Sequence, residues 1–170
     1  DIAGNLWPLN TPNYYTPRLK FTLGIKMTDT EISGAASIEA DAVYIVAGAR
    51  TPMGGLQGSL ADLTSVELGA TAIQEAVRRA NLAGDDIEEI ILGCVLPSGL
   101  RQGPARQAAI DAGIPVNRGA TTINKLCGSG MKATMLAHDL IKAGTNEVMV
   151  SGGMESMTNS PYLLPKSRGG

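Results

Sequence analysis

The sequence predicts an α/β domain built on a mostly parallel or mixed sheet. From residue 42 onward, short β-branched runs alternate with longer segments whose apolar residues recur at helical spacing. Such β-α-β order favours parallel strands joined by right-handed crossovers. The helix that begins at Cys127 is apolar on two sides, which predicts that it is buried between two layers.

The first strand and first helix follow from a β-branched run and a capping signal. Residues 43–47 (VYIVA) predict the strand, and residues 50–55 (RTPMGG) then break it into a loop. Thr64 and Glu67 form a capping box that opens a helix running to about Ala80.

Five further elements alternate along the remaining chain. Residues 87–92 predict a second strand, and Pro104 suits the first turn of a short helix that stops by Gly113. Residues 121–124 predict a third strand that leads into Cys127, whose helix runs to about Ala143. A fourth strand over residues 147–151 is followed by two glycines.

The first 41 residues differ from the rest of the chain. Residues 1–26 hold the only Trp and the only Phe, precede the first methionine, and match neither a secretory signal nor a mitochondrial presequence. We interpret them as an upstream extension or translated leader, followed by a polar lead-in over residues 27–41. The predicted organisation is therefore an extension over residues 1–41, disordered or not native, and a domain over residues 42–170 that is incomplete at its C-terminal end.

Composition and charge exclude several classes of function. The 170 residues are 44% hydrophobic and 18% charged, which is typical of a soluble globular domain. A net charge of −2 gives no electrostatic basis for binding nucleic acid or an anionic membrane. No apolar run reaches the roughly 20 residues that cross a bilayer. The two cysteines make no disulfide framework, so a cytoplasmic location is expected, and no metal site is predicted.

Cys127 is the leading candidate for a nucleophile. It lies where a strand ends and a helix begins, and the partial positive charge and unpaired N–H groups of a helix N-terminus favour a thiolate. A thiolate can take an acyl group, and Gly128 and Gly130 let a substrate come close. On local chemistry alone, a buried structural cysteine is the alternative interpretation.

Five blocks of the sequence resemble the N-terminal half of a thiolase. They are, in order, residues 49–54 (ARTPMG), 103–107 (GPARQ), 124–133 (NKLCGSGMKA), 151–157 (SGGMESM) and 159–165 (NSPYLLP). Within that family the sequence is most similar to the acetyl-CoA acetyltransferase, or acetoacetyl-CoA thiolase, type. The resemblance implies a thiolase-like fold in which the helix after Cys127 sits in the central helical layer of an α-β-α-β-α sandwich.

The resemblance also implies an activity. This activity is acyl transfer between coenzyme A thioesters, namely condensation of two acetyl-CoA to acetoacetyl-CoA and the reverse thiolysis, through an acyl-Cys127 intermediate. The Cys127 backbone N–H would serve as one oxyanion donor. Coenzyme A thioesters are then substrates, with no covalently bound cofactor, and no coenzyme A-binding residue is assigned. A homodimer or tetramer acting in fatty acid and ketone body metabolism is the further expectation.

The remaining catalytic groups of the family are missing from this sequence. The only histidine, His138, lies eleven residues after Cys127, or about 16 Å along a helix, which exceeds hydrogen-bond reach. We interpret it as a partly exposed helix residue. Cys94 matches no catalytic motif of the family and is interpreted as a small buried hydrophobe. We therefore expect a fragment that has no condensation or thiolysis activity alone.

Several alternatives stay open. Arg50 can belong to a ligand loop or to a simple turn, and Arg106 and Gln107 can mark an intersubunit contact or an exposed helix start. Gly152 and Gly153 favour tight backbone packing near the Cys127 helix over ligand binding. For the whole chain, the alternatives are another condensing enzyme, such as a ketoacyl synthase, and a non-catalytic truncated chain that pairs with a complete subunit.

Overall fold

The computed structural model describes residues 21–26 and 42–169. Along these residues run five strands and three α-helices, with short 3-10 turns at Gly84–Asp86, Met157–Asn159 and Ser167–Gly169. In chain order the main elements are β1 (Phe21–Lys26), β2 (Val43–Ala49), α1 (Ser65–Arg79), β3 (Glu89–Gly93), α2 (Pro104–Asp111), β4 (Gly119–Ile123), α3 (Ser129–Lys142) and β5 (Val148–Gly153). None of the helices in these ranges is long and apolar enough to cross a membrane.

The strands form one mixed sheet in the order β2-β1-β5-β3-β4. β3 runs parallel to both β4 and β5, with Gly93 opposite Ile123 on one side and Gly153 on the other. Because the carboxyl ends of parallel strands meet at one edge, the loops that follow these three strands lie side by side. The predicted α/β class is confirmed, and this edge holds the candidate site.

Strand β1 departs from the sequence prediction. The interpretation of residues 1–26 as lying outside the fold is wrong for Phe21–Lys26, which pairs antiparallel with both β2 and β5. The segment is short and contains Gly24, where the register shifts, so its local strand signal is weak. The other residues of the predicted extension lie outside the described residues, and its boundary at residue 41 stays a prediction.

The helices cover both faces of the sheet. α1 and α2 pack on one face over the larger core, which includes Ile73, Ile87, Ile90, Leu92 and Val150. α3 packs on the other face over a smaller core, which includes Ile91, Ala133, Ala137, Ile141 and Met149. Alternate residues of β3 enter opposite cores, as the two-residue period of a strand requires.

The capping box predicted for α1 is confirmed. The Thr64 hydroxyl oxygen accepts a hydrogen bond from the Glu67 N–H at 3.2 Å, and the Glu67 carboxylate accepts one from the Thr64 N–H at 2.8 Å. The hydrogen bonds from Thr64, the backbone one above all, lower the pKa of the Glu67 carboxyl. At the other end, Arg79 donates to the Gly48 carbonyl at 2.9 Å and so ties α1 to β2.

Helix α3 begins later and is less buried than the sequence predicts. Its first residue is Ser129 and its N-cap is Gly128, because residues 124–128 form a tight turn before the helix starts. Its sheet-facing side is buried, whereas Met131 and Met135 are 72% and 52% exposed. Within the described part of the chain, α3 packs mainly on strands, so its second apolar side lies at the surface.

Candidate active site

Cys127 is an exposed free thiol in the turn between β4 and α3. Two backbone hydrogen bonds close this turn, from the Gly128 N–H to the Lys125 carbonyl at 3.1 Å and from the Ser129 N–H to the Leu126 carbonyl at 3.0 Å. The thiol therefore lies one residue before the N-cap of α3, at the carboxyl edge of the sheet. A substrate can reach it from solvent.

The residue before Cys127 has a left-handed backbone conformation. Leu126 has φ of 50°, which costs a non-glycine residue about 1–2 kcal/mol. Two side chains hold it there: the Asn124 Oδ1 accepts from the Leu126 N–H at 2.9 Å, and the Ser129 hydroxyl donates to the Leu126 carbonyl at 2.6 Å. The same hydroxyl oxygen accepts from the Lys125 N–H at 2.8 Å. The turn that presents Cys127 is therefore braced on both sides.

Gly93 provides the space in which α3 begins. A Cβ atom built on Gly93 would lie 2.5 Å from the Ser129 Cβ and 2.8 Å from the Gly130 nitrogen. Only glycine at the end of β3 allows the first turn of α3 to approach this closely. Gly152 and Gly153 are the glycines for which the sequence predicts tight backbone packing near the helix after Cys127. Both are buried in β5, opposite Leu92 and Gly93.

A carboxylate joins the loop after β5 to the loop after β3. The Glu155 carboxylate accepts hydrogen bonds from the Val95 N–H at 2.8 Å and from the Leu96 N–H at 3.1 Å. The Val95 carbonyl in turn accepts a hydrogen bond from the Asn124 Nδ2 at 3.1 Å. Three adjacent loops at the sheet edge are thus linked through Glu155 and Asn124.

Cys94 lies beneath these loops and is only 1% exposed. Burial, followed by the negative charge of Glu155, raises the pKa of the Cys94 thiol to about 11. The Cys94 Sγ lies 3.8 Å from a carboxylate oxygen of Glu155. A thiol that stays protonated in an apolar core agrees with the interpretation of Cys94 as a small buried hydrophobe.

His138 is on the exposed surface of α3, well away from Cys127 along the helix. Its Nδ1 lies 3.1 Å from the Asp139 carboxylate, on the adjacent residue. The two residues are separated by about three helical turns, so the structure does not bring His138 to the thiol. The interpretation of His138 as a helix surface residue agrees with this placement.

A cleft of about 430 Å³ lies at the same sheet edge, between residues 50–56 and residues 153–158. Hydrogen bonds hold its walls together: the Gln57 N–H donates to the Thr158 hydroxyl at 2.8 Å, and the Asn159 Nδ2 donates to the Leu63 carbonyl at 2.9 Å. Arg50 lines the cleft, whereas Cys127 does not. The two interpretations of the Arg50 loop, as a ligand loop and as a simple turn, both stay predictions.

Arg106 and Gln107 have partners within their own chain. Arg106 donates to the Arg118 and Val116 carbonyls, and Gln107 donates to the Gln102 carbonyl at 3.0 Å. These bonds fix the segments before and after α2. The predicted role of Arg106 and Gln107 at a subunit interface stays a prediction.

The residues that support the Cys127 turn differ in how far the sequence alone predicts them. Asn124 has a recognisable signal, because an Asn that bonds the N–H two residues ahead is typical of an Asx-turn. Glu155 has no such signal, since the Val95 N–H that it binds is 60 positions away in the chain. Ser129 and Gly93 lie close together in space but far apart in the sequence, so no local sequence pattern predicts their contact.

Comparison with known proteins adds the following findings. The family model described as "Thiolase, N-terminal domain" matches residues 43–170. A cytosolic acetyl-CoA acetyltransferase from Gibberella zeae is 49% identical over 128 residues, which are 75% of this chain and 32% of the relative. A mitochondrial acetyl-CoA acetyltransferase from Xenopus tropicalis is 50% identical over 124 residues, 73% of this chain and 30% of the relative. The chain spans about a third of the length of these relatives.

A solved structure agrees with the sequence comparisons. A thiolase from Ascaris suum, determined in complex with coenzyme A, is similar at a TM-score of 0.70 and 39% identity. The similarity covers 71% of this chain and 32% of that one. From the family match over residues 43–170, the chain belongs to the thiolase family.

Proposed function

We propose that Cys127 is the acyl-accepting nucleophile of an acyl transfer between coenzyme A thioesters, of the acetyl-CoA acetyltransferase type. The observation that carries the proposal is an exposed thiol in a braced turn directly before a helix. The names of the relatives support this choice of reaction, as does the coenzyme A bound to the Ascaris suum thiolase. The thiolase match favours this reading over a ketoacyl synthase.

The proposed step exchanges one thioester for another. The Cys127 thiolate attacks the carbonyl carbon of acetyl-CoA, a new carbon–sulfur bond forms, and the bond to the coenzyme A sulfur breaks. Coenzyme A leaves as a thiolate and takes up a proton, while Cys127 keeps the acetyl group. In condensation, the acetyl group then passes to the α-carbon of a second acetyl-CoA, and thiolysis reverses both steps.

The negative charge that develops on the carbonyl oxygen needs hydrogen-bond donors. Among the described residues, none accepts a hydrogen bond from the Cys127 N–H. This N–H lies next to the positive end of α3, which favours an oxyanion. We therefore assign the Cys127 amide as one oxyanion donor in the proposed step.

Condensation also needs a base that removes a proton from the second thioester. Neither His138 nor Cys94 fits this role, because the first is remote and the second is buried and protonated. We expect the isolated chain to accept an acetyl group on Cys127 without forming acetoacetyl-CoA.

Assembly of the whole protein into a homodimer or tetramer and a cytoplasmic location belong to the same proposal, although the relatives include both cytosolic and mitochondrial proteins.

The test combines a product assay with a labelling assay. The purified chain is incubated with acetyl-CoA, acetoacetyl-CoA is measured, and the Cys127 peptide is analysed by mass spectrometry. We expect acetylated Cys127 and no acetoacetyl-CoA, with Cys127→Ser as the control. Sustained acetoacetyl-CoA formation would refute the expected inactivity. Unmodified Cys127 would refute the nucleophile and favour a non-catalytic chain that pairs with a complete subunit.

A further inference from the structure

Asn124 uses both ends of its side-chain amide to connect the Cys127 turn to the rest of the sheet edge. Its Oδ1 accepts from the Leu126 N–H at 2.9 Å, and its Nδ2 donates to the Val95 carbonyl at 3.1 Å. With both groups engaged, the amide has a single favourable orientation. The position of Val95 therefore determines where the acceptor for Leu126 lies.

Val95 is itself held by Glu155. The carboxylate accepts from the Val95 N–H at 2.8 Å and from the Leu96 N–H at 3.1 Å, and charge-assisted bonds of this kind are stronger than neutral ones. Glu155 is anchored in turn, because the preceding residue, Met154, donates its N–H to the Gly93 carbonyl at 2.9 Å. A continuous path thus runs from the end of β5 to the turn that carries Cys127.

The Cys127 turn depends on this path because packing does not fix Leu126. The Leu126 side chain is 70% exposed, so few contacts hold its left-handed backbone. The hydrogen bonds from Asn124 and Ser129 supply the restraint. If the Leu126 backbone relaxed, the directions of the Cys127 thiol and of its N–H would change together.

We propose that Asn124 and Glu155 are positioning residues for Cys127. Glu155 fixes Val95, Val95 orients Asn124, and Asn124 holds Leu126 in the conformation that aims the thiol and the Cys127 N–H. The inference rests on the proposed function of Cys127 as the nucleophile. It adds two residues that do not touch the acyl group but set the geometry of the residue that does.

The test measures two reactions of Cys127 in the full chain, each resolved at the Cys127 peptide. One is acetylation by acetyl-CoA, which needs both the thiol and the oxyanion donor to be aligned. The other is alkylation by iodoacetamide, which needs the thiol alone. In Asn124→Ala and Glu155→Ala we expect acetylation to slow by about 10-fold or more, and alkylation by about 3-fold, as the loss of one or two hydrogen bonds predicts.

A matched control and a rescue separate positioning from general damage. Gln74→Ala also removes a side-chain bond to a backbone carbonyl, that of Asp111 at 3.1 Å, but between α1 and the end of α2, away from the sheet edge that carries Cys127. It should leave both rates unchanged. Leu126→Gly allows the left-handed conformation without a side-chain penalty. In that background, Asn124→Ala should slow acetylation by less than in the parent chain.

The outcomes distinguish the two proposals. An unacetylated parent chain contradicts the proposed function. In that case the alkylation rates of the variants still test whether Asn124 and Glu155 position Cys127. Unchanged alkylation and acetylation in Asn124→Ala and Glu155→Ala, or an equal slowing in the Leu126→Gly background, would overturn the positioning role. Far-UV circular dichroism on each variant confirms that the rates are measured on folded chains.

Discussion

Replacing Gly93 by alanine is expected to destabilise the chain and to displace the first turn of α3. The new Cβ would lie 2.5 Å from the Ser129 Cβ, 2.6 Å from the Ser129 carbonyl carbon and 2.8 Å from the Gly130 nitrogen. Two of these three neighbours are backbone atoms, so a rotamer change cannot relieve the overlap. The helix start and the end of β3 must separate.

The size of the effect follows from the overlap. Ordinary Cβ contacts begin near 3.4 Å, so relief of the 2.5 Å contact needs a movement of about 0.9 Å. Overpacking of a well-packed core costs typically 1–3 kcal/mol, occasionally more. Because Ser129 also bonds the Leu126 carbonyl at 2.6 Å, the same movement disturbs the turn before Cys127. We expect a loss of about 3 kcal/mol and slower acetylation of Cys127.

Urea unfolding followed by far-UV circular dichroism measures the loss of stability. The control is Gly55→Ala, because nothing lies within 4 Å of a Cβ built at Gly55. Gly55→Ala should unfold within about 0.5 kcal/mol of the parent chain. An equally stable Gly93→Ala chain with an unchanged acetylation rate would refute the close approach of β3 and α3.

Three further predictions concern the cap, the buried thiol and β1. Thr64→Ala removes the capping box of α1 and should lower the free energy of unfolding by about 1 kcal/mol, as measured by urea titration. An unchanged urea midpoint would contradict a stabilising role of this cap. The pKa of the Cys94 thiol is about 11 in the folded chain, above its ordinary value of 9.0. The folded chain therefore keeps the thiol proton to a higher pH than the unfolded chain does, and the free energy of unfolding falls as the pH rises from 9.0 to about 11. That loss, about 3 kcal/mol, should be absent from Cys94→Ala, and parallel pH profiles of the two chains would refute it. Finally, a chain that lacks residues 1–26 should unfold at lower urea than one that lacks residues 1–20, because only the first loses β1 from between β2 and β5. Equal midpoints would show that β1 contributes no stability.

Local signals account for the parts of the fold that the sequence predicts. The capping box at Thr64 predicts a helix to about Ala80, and α1 spans Ser65–Arg79. The run at residues 43–47 predicts a strand, and β2 spans Val43–Ala49. Each of these signals is complete within a few residues, so no knowledge of the rest of the fold is needed. The predicted family is confirmed in the same way, since its motifs are contiguous blocks.

The features of the fold and of the site that the sequence does not predict depend on contacts between segments far apart in the chain. β1 is a strand because of its partners in β2 and β5, and its own six residues carry little signal. The start of α3 at Ser129, rather than at Cys127, follows from a turn stabilised by Asn124 and Ser129 side chains. The motif around Cys127 predicts a nucleophile there, which stays a prediction, whereas the hydrogen bond from Val95 to Glu155 depends on the three-dimensional arrangement of loops at the sheet edge.

Reversible acetylation of Cys127 is the most direct test of the central claim, that this turn presents a nucleophile for coenzyme A thioesters. The chain is incubated with acetyl-CoA, freed of excess reagent and then exposed to free coenzyme A, with the Cys127 and Cys94 peptides followed by mass spectrometry. We predict one acetyl group on Cys127, none on buried Cys94, and return of the acetyl group to coenzyme A. An unmodified Cys127, or equal labelling of a Cys127→Ser chain, would contradict the claim.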